Sequence, residues 1–158
     1  MKNLVTGATG LVGMHIALDL LRTEEHVQAT FTKNSNFDNV KKVFAFYKSD
    51  HLYEKINWIE MNLEDTTDVF EAVKGINHVY HSAAIVSFNK KDKAKISSIN
   101  IKGTANIVNA CLEENIKKLG FISSVASIGR KANKEGLYTE KTKWSMSKAN
   151  SYYAISKY

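Results

Sequence analysis

Cysteine is almost missing from this chain of 158 residues: Cys111 stands alone, so no internal disulfide can form. It lies in the apolar run Ile107-Val108-Asn109-Ala110-Cys111-Leu112 and reads as core packing. Proline is absent altogether, against an expectation of about 5% of residues. Beside abundant Lys, Asn and Ile this suggests a biased coding composition and excludes no fold. No apolar run approaches the roughly 18 residues needed to cross a bilayer. The opening Met1-Lys2-Asn3-Leu4-Val5 reaches Gly7 before the apolar core of a secretory signal could build. A soluble, cytoplasmic protein with no membrane partner is the expectation.

The formal charge of +6 invites a nucleic-acid reading, so its distribution decides. Lysines are spread along the chain with Asp and Glu between them. The densest run, Lys90-Lys91-Asp92-Lys93-Ala94-Lys95, has no interleaved aromatics and reads as a solvated face. No nucleic-acid partner is expected. At 44% hydrophobic and 24% charged residues the composition is that of a globular protein, and the length suits one domain.

Short apolar runs alternate with helical patterns, which predicts βαβ units and a parallel sheet. Strands are expected over 3–6, 27–32, 57–61, 78–81 and 119–123. Helices are expected over 10–22, where apolar residues stand on nearly all sides, over 67–74 with Gly75 after its end, and over 92–114. The segment 34–55 has helical spacing at Val40, Val43, Phe44 and Tyr47 without clear ends. Residues 133–147 read mostly as loop, and a helix starts near Ser151. Right-handed crossovers in this order predict an α/β, doubly wound Rossmann sheet of order 3-2-1-4-5. Its ligand crevice is expected outside the carboxyl ends of the strands, among the loops after Thr6, His81 and Ser123.

The strongest motif is Thr6-Gly7-Ala8-Thr9-Gly10-Leu11-Val12-Gly13, a G-x-x-G-x-x-G turn with a strand before it and a helix after it. Gly7 permits a tight turn, Gly10 lets backbone N–H groups approach a pyrophosphate, and Gly13 allows close helix–sheet contact. The phosphates would sit at the positive end of the helix.

This loop resembles the cofactor loop of the extended short-chain dehydrogenases, the NAD-dependent epimerase/dehydratase family. Further residues fit at family-like spacings. Asn62-Leu63 stands where the family usually has Asp-Leu beside the adenine. His81-Ser82-Ala83-Ala84 resembles the H-x-A-A stretch that lines the cofactor, and Asn100-Ile101-Lys102-Gly103-Thr104 resembles N-V-x-G-T. Ser123-Ser124 resembles the strand end that supplies the catalytic serine, and Tyr153-Ala154-Ile155-Ser156-Lys157 is a Y-x-x-x-K. With 7 tyrosines, roughly one such pair is expected by chance, so its weight comes from its position 29 residues after Ser124.

The resemblance implies Ser124, Tyr153 and Lys157 as the catalytic set. Residues i and i+4 share a helix face, and an ammonium near a phenol stabilises its phenolate form. Tyr153 would then exchange a proton with the substrate oxygen, held also by Ser124, while hydride moves to or from the nicotinamide. The implied cofactor contacts are Gly7, Thr9, Gly10, Leu11, Val12, Gly13, Thr32, Lys33, Asn62, Leu63, Ser82, Ala83, Ala84, Asn100, Tyr153 and Lys157, with no metal. For Asn100 a structural role is as consistent with the pattern as a direct contact. His81 reads as a polar group satisfied at a strand end.

Thr32-Lys33-Asn34 after the second strand carries no carboxylate to bind ribose hydroxyls, and Lys41-Lys42 follow. This favours NADP(H) over NAD(H), although the reductase branch commonly has arginine where Thr32 stands. Val27-Gln28-Ala29-Thr30, Asn39-Val40-Lys41-Lys42-Val43 and Ser123-Ser124-Val125-Ala126 look closest to the dihydroflavonol-4-reductase-like branch. The implied reaction is reduction of a ketone or aldehyde, or oxidation of the alcohol, on a small-molecule substrate. NAD-dependent epimerisation of a nucleotide sugar and a non-catalytic nucleotide-binding Rossmann protein remain open. Dehydration is disfavoured, because Val125-Ala126 stand where such enzymes tend to carry an acidic pair. The resemblance allows a homodimer, since family dimers often pair through helices of this region.

Family members continue into further strands and a smaller substrate domain. Residues 1–158 are therefore expected to be an incomplete NAD(P)-binding domain, inactive alone. The helix around Tyr153, stopping within a turn of Lys157, is expected to fray.

Overall fold

The computed structural model describes residues 1–23, 25–128 and 136–158. Five strands, β1 Lys2–Thr6, β2 His26–Phe31, β3 Asn57–Glu60, β4 His78–His81 and β5 Lys118–Phe121, make one parallel sheet in the order β3-β2-β1-β4-β5. The helices are α1 Leu11–Arg22, α2 Asp38–Phe46, α3 Asp50–Tyr53, α4 Thr66–Val73, α5 Lys93–Ile96, α6 Gly103–Glu113 and α7 Tyr152–Lys157. The chain divides into two compact units, Met1–Ala83 with Gly103–Ile122, and Ala84–Lys102 with Ser123–Tyr158.

The first unit holds the whole sheet. Its central strand β1 is buried from Asn3 through Thr6, as a parallel strand covered on both faces must be. Leu4 pairs with Gln28 of β2 on one side and Val79 of β4 on the other. The strand order therefore reverses between β1 and β4, which makes the carboxyl ends at Thr6 and His81 the topological switch point.

Helix α1 buries Gly13, Met14, Ala17, Leu18 and Leu21. At its start Leu11 and Val12 are exposed. The segment with unclear ends resolves into α2 and α3. Between them Lys48 adopts φ +53°, a left-handed conformation that stops the first helix, and Val40 and Phe44 are its buried face. Helix α4 begins at Asp65, whose carboxylate accepts from the N–H groups of Thr67 at 2.8 Å and Asp68 at 3.4 Å. It closes before Gly75, at φ +70°.

In the second unit, Asn89 caps a 3-10 turn over Lys90–Asp92 by accepting from the Lys91 N–H at 3.0 Å, and α5 follows. The single helix expected over 92–114 is instead α5, a π-helical stretch Ser97–Lys102 and α6. Ser123 and Ser124 lead into a 3-10 turn at Val125–Ser127. Residues 136–147 of the expected loop contain only turns and bends, and 133–135 lie outside the described residues. Helix α7 is formed through Lys157 and packs against the π-helical stretch, the 3-10 turn and α5. That packing, with its cap, supplies what six isolated residues lack.

Candidate functional site

The first unit contains the glycine loop. Gly7 has φ +67°, and a β-carbon there would lie 2.6 Å from the Ala83 Cα. A β-carbon on Gly13 would lie 2.3 Å from the Gly7 carbonyl oxygen and 2.7 Å from the Ser82 hydroxyl. Both positions are therefore sterically restricted to glycine. Gly10 is the N-cap of α1 and contributes no side-chain cap, so the first N–H groups of a twelve-residue helix face outward beside exposed Leu11 and Val12. This arrangement fits the pyrophosphate of a dinucleotide.

Around the loop, polar side chains hold its neighbours. Thr6 Oγ1 accepts from the Ala83 N–H at 3.2 Å and lies 2.7 Å from His81 Nδ1. His81 Nε2 lies 3.0 Å from Thr104 Oγ1, and Phe121 stacks on the ring. With both nitrogens engaged and 1% exposure, His81 is a structural bridge between β1, β4 and α6. Ser82 donates to the Thr6 carbonyl at 2.8 Å. Asn62 is exposed, and its side chain accepts from the Glu64 N–H at 3.1 Å. Leu63 is buried, and a β-carbon on Gly103 would lie 2.9 Å from its Cβ, which accounts for the glycine in Asn100-Ile101-Lys102-Gly103-Thr104.

Thr32 and Lys33 are exposed just past β2. Sequence reasoning missed Ser35. Its hydroxyl accepts from the Thr32 N–H at 2.9 Å, and Thr9 donates to it at 3.2 Å, so it joins the glycine loop to the end of β2. A lone serine in a polar stretch gives no signal for this.

The second unit contains Ser124, Tyr153, Lys157 and Asn100. Ser151 caps α7 by accepting from the Ala154 N–H at 3.1 Å. Tyr153 and Lys157 stand one turn apart on that helix. Lys157 is 6% exposed, and burial lowers its ammonium pKa below the usual lysine value. Ser123 Oγ donates to the Lys157 carbonyl at 3.0 Å. Ser124 Oγ instead accepts from the Ala126 N–H at 3.2 Å, which leaves its own hydrogen available to donate. Neighbouring Tyr152 lies under the Lys93 ammonium at 4.8 Å, whereas the Tyr153 ring meets Phe88.

Asn100 is 2% exposed and fully engaged. Its Oδ1 accepts from the Ile85 N–H at 2.8 Å, and its Nδ2 donates to the Ile85 carbonyl and to Ser156 Oγ, each at 2.9 Å. Ser156 in turn donates to the Tyr153 carbonyl at 2.8 Å. The geometry thus gives Asn100 a structural task, clamping the start of the loop at Ile85 to the helix of Tyr153. It lies in the π-helical stretch, a distortion frequent at functional sites. Ala84 is half-buried at the start of that loop.

A parallel sheet of this order, with a glycine turn entering α1, defines a dinucleotide-binding Rossmann fold. The chain belongs to the NAD dependent epimerase/dehydratase family, whose model matches residues 3–158. A bifunctional dihydroflavonol 4-reductase/flavanone 4-reductase of Malus domestica is 30% identical over 144 residues, 89% of this chain and 40% of that protein. A 3 beta-hydroxysteroid dehydrogenase/Delta 5→4-isomerase of vaccinia virus (strain Copenhagen) is 32% identical over 136 residues, 84% of this chain and 36% of that protein. Among solved structures, UDP-glucose-4-epimerase of Stenotrophomonas maltophila with bound NAD superposes with a TM-score of 0.81 at 21% identity. It covers 99% of this chain and 45% of its own. UDP-glucuronic acid 4-epimerase of Bacillus cereus in complex with NAD gives 0.71 at 26%, covering 99% and 49%. The chain thus spans well under half the length of these curated relatives. Among the described residues no helix is long and apolar enough to cross a membrane.

Proposed function

We propose that residues 1–158 are the nucleotide-binding part of an NAD(P)-dependent oxidoreductase that reduces a ketone or aldehyde, or oxidises the corresponding alcohol. The observation that carries this reading is α7, where Tyr153 and a buried Lys157 share one face of a capped helix packed against the turn that follows Ser124. Ser124 donates its hydroxyl hydrogen to the substrate oxygen. Tyr153 gives that oxygen a proton in reduction and takes it back in oxidation. Lys157 favours the phenolate form of Tyr153 by its charge.

When bound, the nicotinamide supplies or accepts the hydride. On the protein side, the Leu11, Val12 and Gly13 N–H groups hold the pyrophosphate, and Gly7, Thr9 and Gly10 shape the turn that admits it. Leu63, Ser82, Ala83 and Ala84 line the cofactor, and Asn62 serves the adenine end. Thr32 and Lys33, with no carboxylate beside them, favour NADP(H) over NAD(H). The substrate is a small molecule.

Tyr153→Phe in the full-length protein abolishes turnover and leaves cofactor affinity nearly intact, because the phenol acts on substrate. Steady-state rates beside a cofactor titration check this, and unimpaired turnover in the variant overturns the mechanism.

A further inference from the structure

At the amino ends of the strands, the opposite end of the sheet from the glycine loop, the first unit holds a cavity of about 270 Å³. Lys2, His26 and Asn57, the first residues of β1, β2 and β3, line it together with Lys55. Strand register brings the first three together: Lys2 pairs with His26, and Asn57 pairs with Gln28 two residues along β2. The rest of the lining is Asn3, Gln28 and the buried Val27 and Ile76. No carboxylate lines the cavity, and no Phe, Tyr or Trp does.

The amides of this wall are engaged with the protein. Asn3 Nδ2 donates to Glu25 Oε2 at 3.3 Å and to the Met1 and His26 carbonyls, each at 3.4 Å. Gln28 Nε2 donates to the Ala72 carbonyl at 2.7 Å, and its Oε1 accepts from Asn57 Nδ2 at 3.4 Å. Glu25, which Asn3 joins to the wall, is paired with the Met1 ammonium. The cations have no such partners: among the described residues Lys2, His26 and Lys55 make no ion pair. Helix carboxyl ends, which cations often serve, are met here by neutral groups. Thr23 Oγ1 takes the Leu20 carbonyl of α1, and Gln28 takes the Ala72 carbonyl of α4.

Two ammonium groups and an imidazole thus line a concave space that offers them no counter-charge. A phosphate there gains charge-assisted hydrogen bonds, and lysine meets phosphate as a point charge. At about 30 Å³ per water, the volume also leaves room for a short carbon skeleton. A nucleobase would find no aromatic side chain to stack on. We propose that this cavity is a binding site for a small phosphomonoester, separate from the place given to the dinucleotide at the glycine loop. It stands independently of the oxidoreductase reading above.

The test is a proton–nitrogen correlation NMR titration of the 158-residue chain with glycerol 3-phosphate and, separately, with inorganic phosphate, at an ionic strength held constant with chloride. Saturable shifts are expected at the amides of Lys2, His26, Lys55 and Asn57, at lower concentrations of the ester than of free phosphate. Lys55→Gln should weaken the binding about tenfold, as for loss of one charge-assisted hydrogen bond, and Lys55→Arg should retain it. Because Lys55 is exposed, neither substitution removes core packing, and the unperturbed remainder of the spectrum verifies the fold. Shifts that grow linearly without saturating, that are confined to the loop from Gly7 to Gly13, or that are unchanged in Lys55→Gln overturn the site. Inorganic phosphate binding as tightly as the ester overturns its assignment to a phosphomonoester.

Discussion

A β-carbon on Gly13 has nowhere to go: two of its nearest neighbours would be the backbone oxygen and carbon of Gly7, at 2.3 and 2.8 Å, and neither is the end of a flexible side chain. Gly13→Ala is therefore expected to cost about 3 kcal/mol of stability, at the upper end for overpacking. A thermal melt checks this, and a loss under about 0.5 kcal/mol contradicts the packing account. Residues of this kind were legible in the sequence because the motif's steric demands are local. Ser35, Ser156 and Phe88 were not, since each acts on residues 3 to 65 positions away through a fold the sequence does not display. Burial decided one further residue in the expected direction. Cys111 is buried in α6, and desolvation pushes its thiol up to about 11.

Among the elements, α4 and α7 depend on their caps. Asp65 satisfies two first-turn N–H groups of α4, so Asp65→Ala should cost about 1 kcal/mol. For a chain of this size that is about 2–4 °C in Tm, and an unchanged Tm would remove the cap from the account. The helix start expected at Thr67 lay within one residue of Thr66, and the cap at Asp65 became visible only in the structure. The break of the expected 92–114 helix was not legible, because a π-helical stretch changes hydrogen bonding without changing hydrophobic spacing. Helix α7 has a pH signature. Burial lowers the Lys157 pKa, so between that lowered value and the unfolded value of about 10.4 the unfolded chain binds more protons than the folded one. The cost of burying the charge is complete below this window and fades as pH rises through it. Urea melts from neutral to alkaline pH should show the wild type gaining stability relative to Lys157→Met across the window. A difference that does not change with pH contradicts the burial account.

At the scale of the molecule, strand order was readable because alternating β and α segments with right-handed crossovers leave few topologies, and all five strands were recovered in the order 3-2-1-4-5. Their ends shifted by one or two residues, as at β5, where the edge position leaves Leu119 and Phe121 partly exposed and weakens the burial signal. The division into two units was not visible, since no change in composition accompanies it. The glycine loop is predicted to bind a nicotinamide dinucleotide, and calorimetric titration of the 158-residue chain with NADPH and, separately, with NADH tests this. One-to-one binding is predicted, tighter for NADPH because Thr32 and Lys33 oppose no negative charge to a 2′-phosphate. Tighter NADH binding would contradict the cofactor preference, and no heat with either nucleotide, from a chain shown to be folded, would contradict dinucleotide binding at the glycine loop.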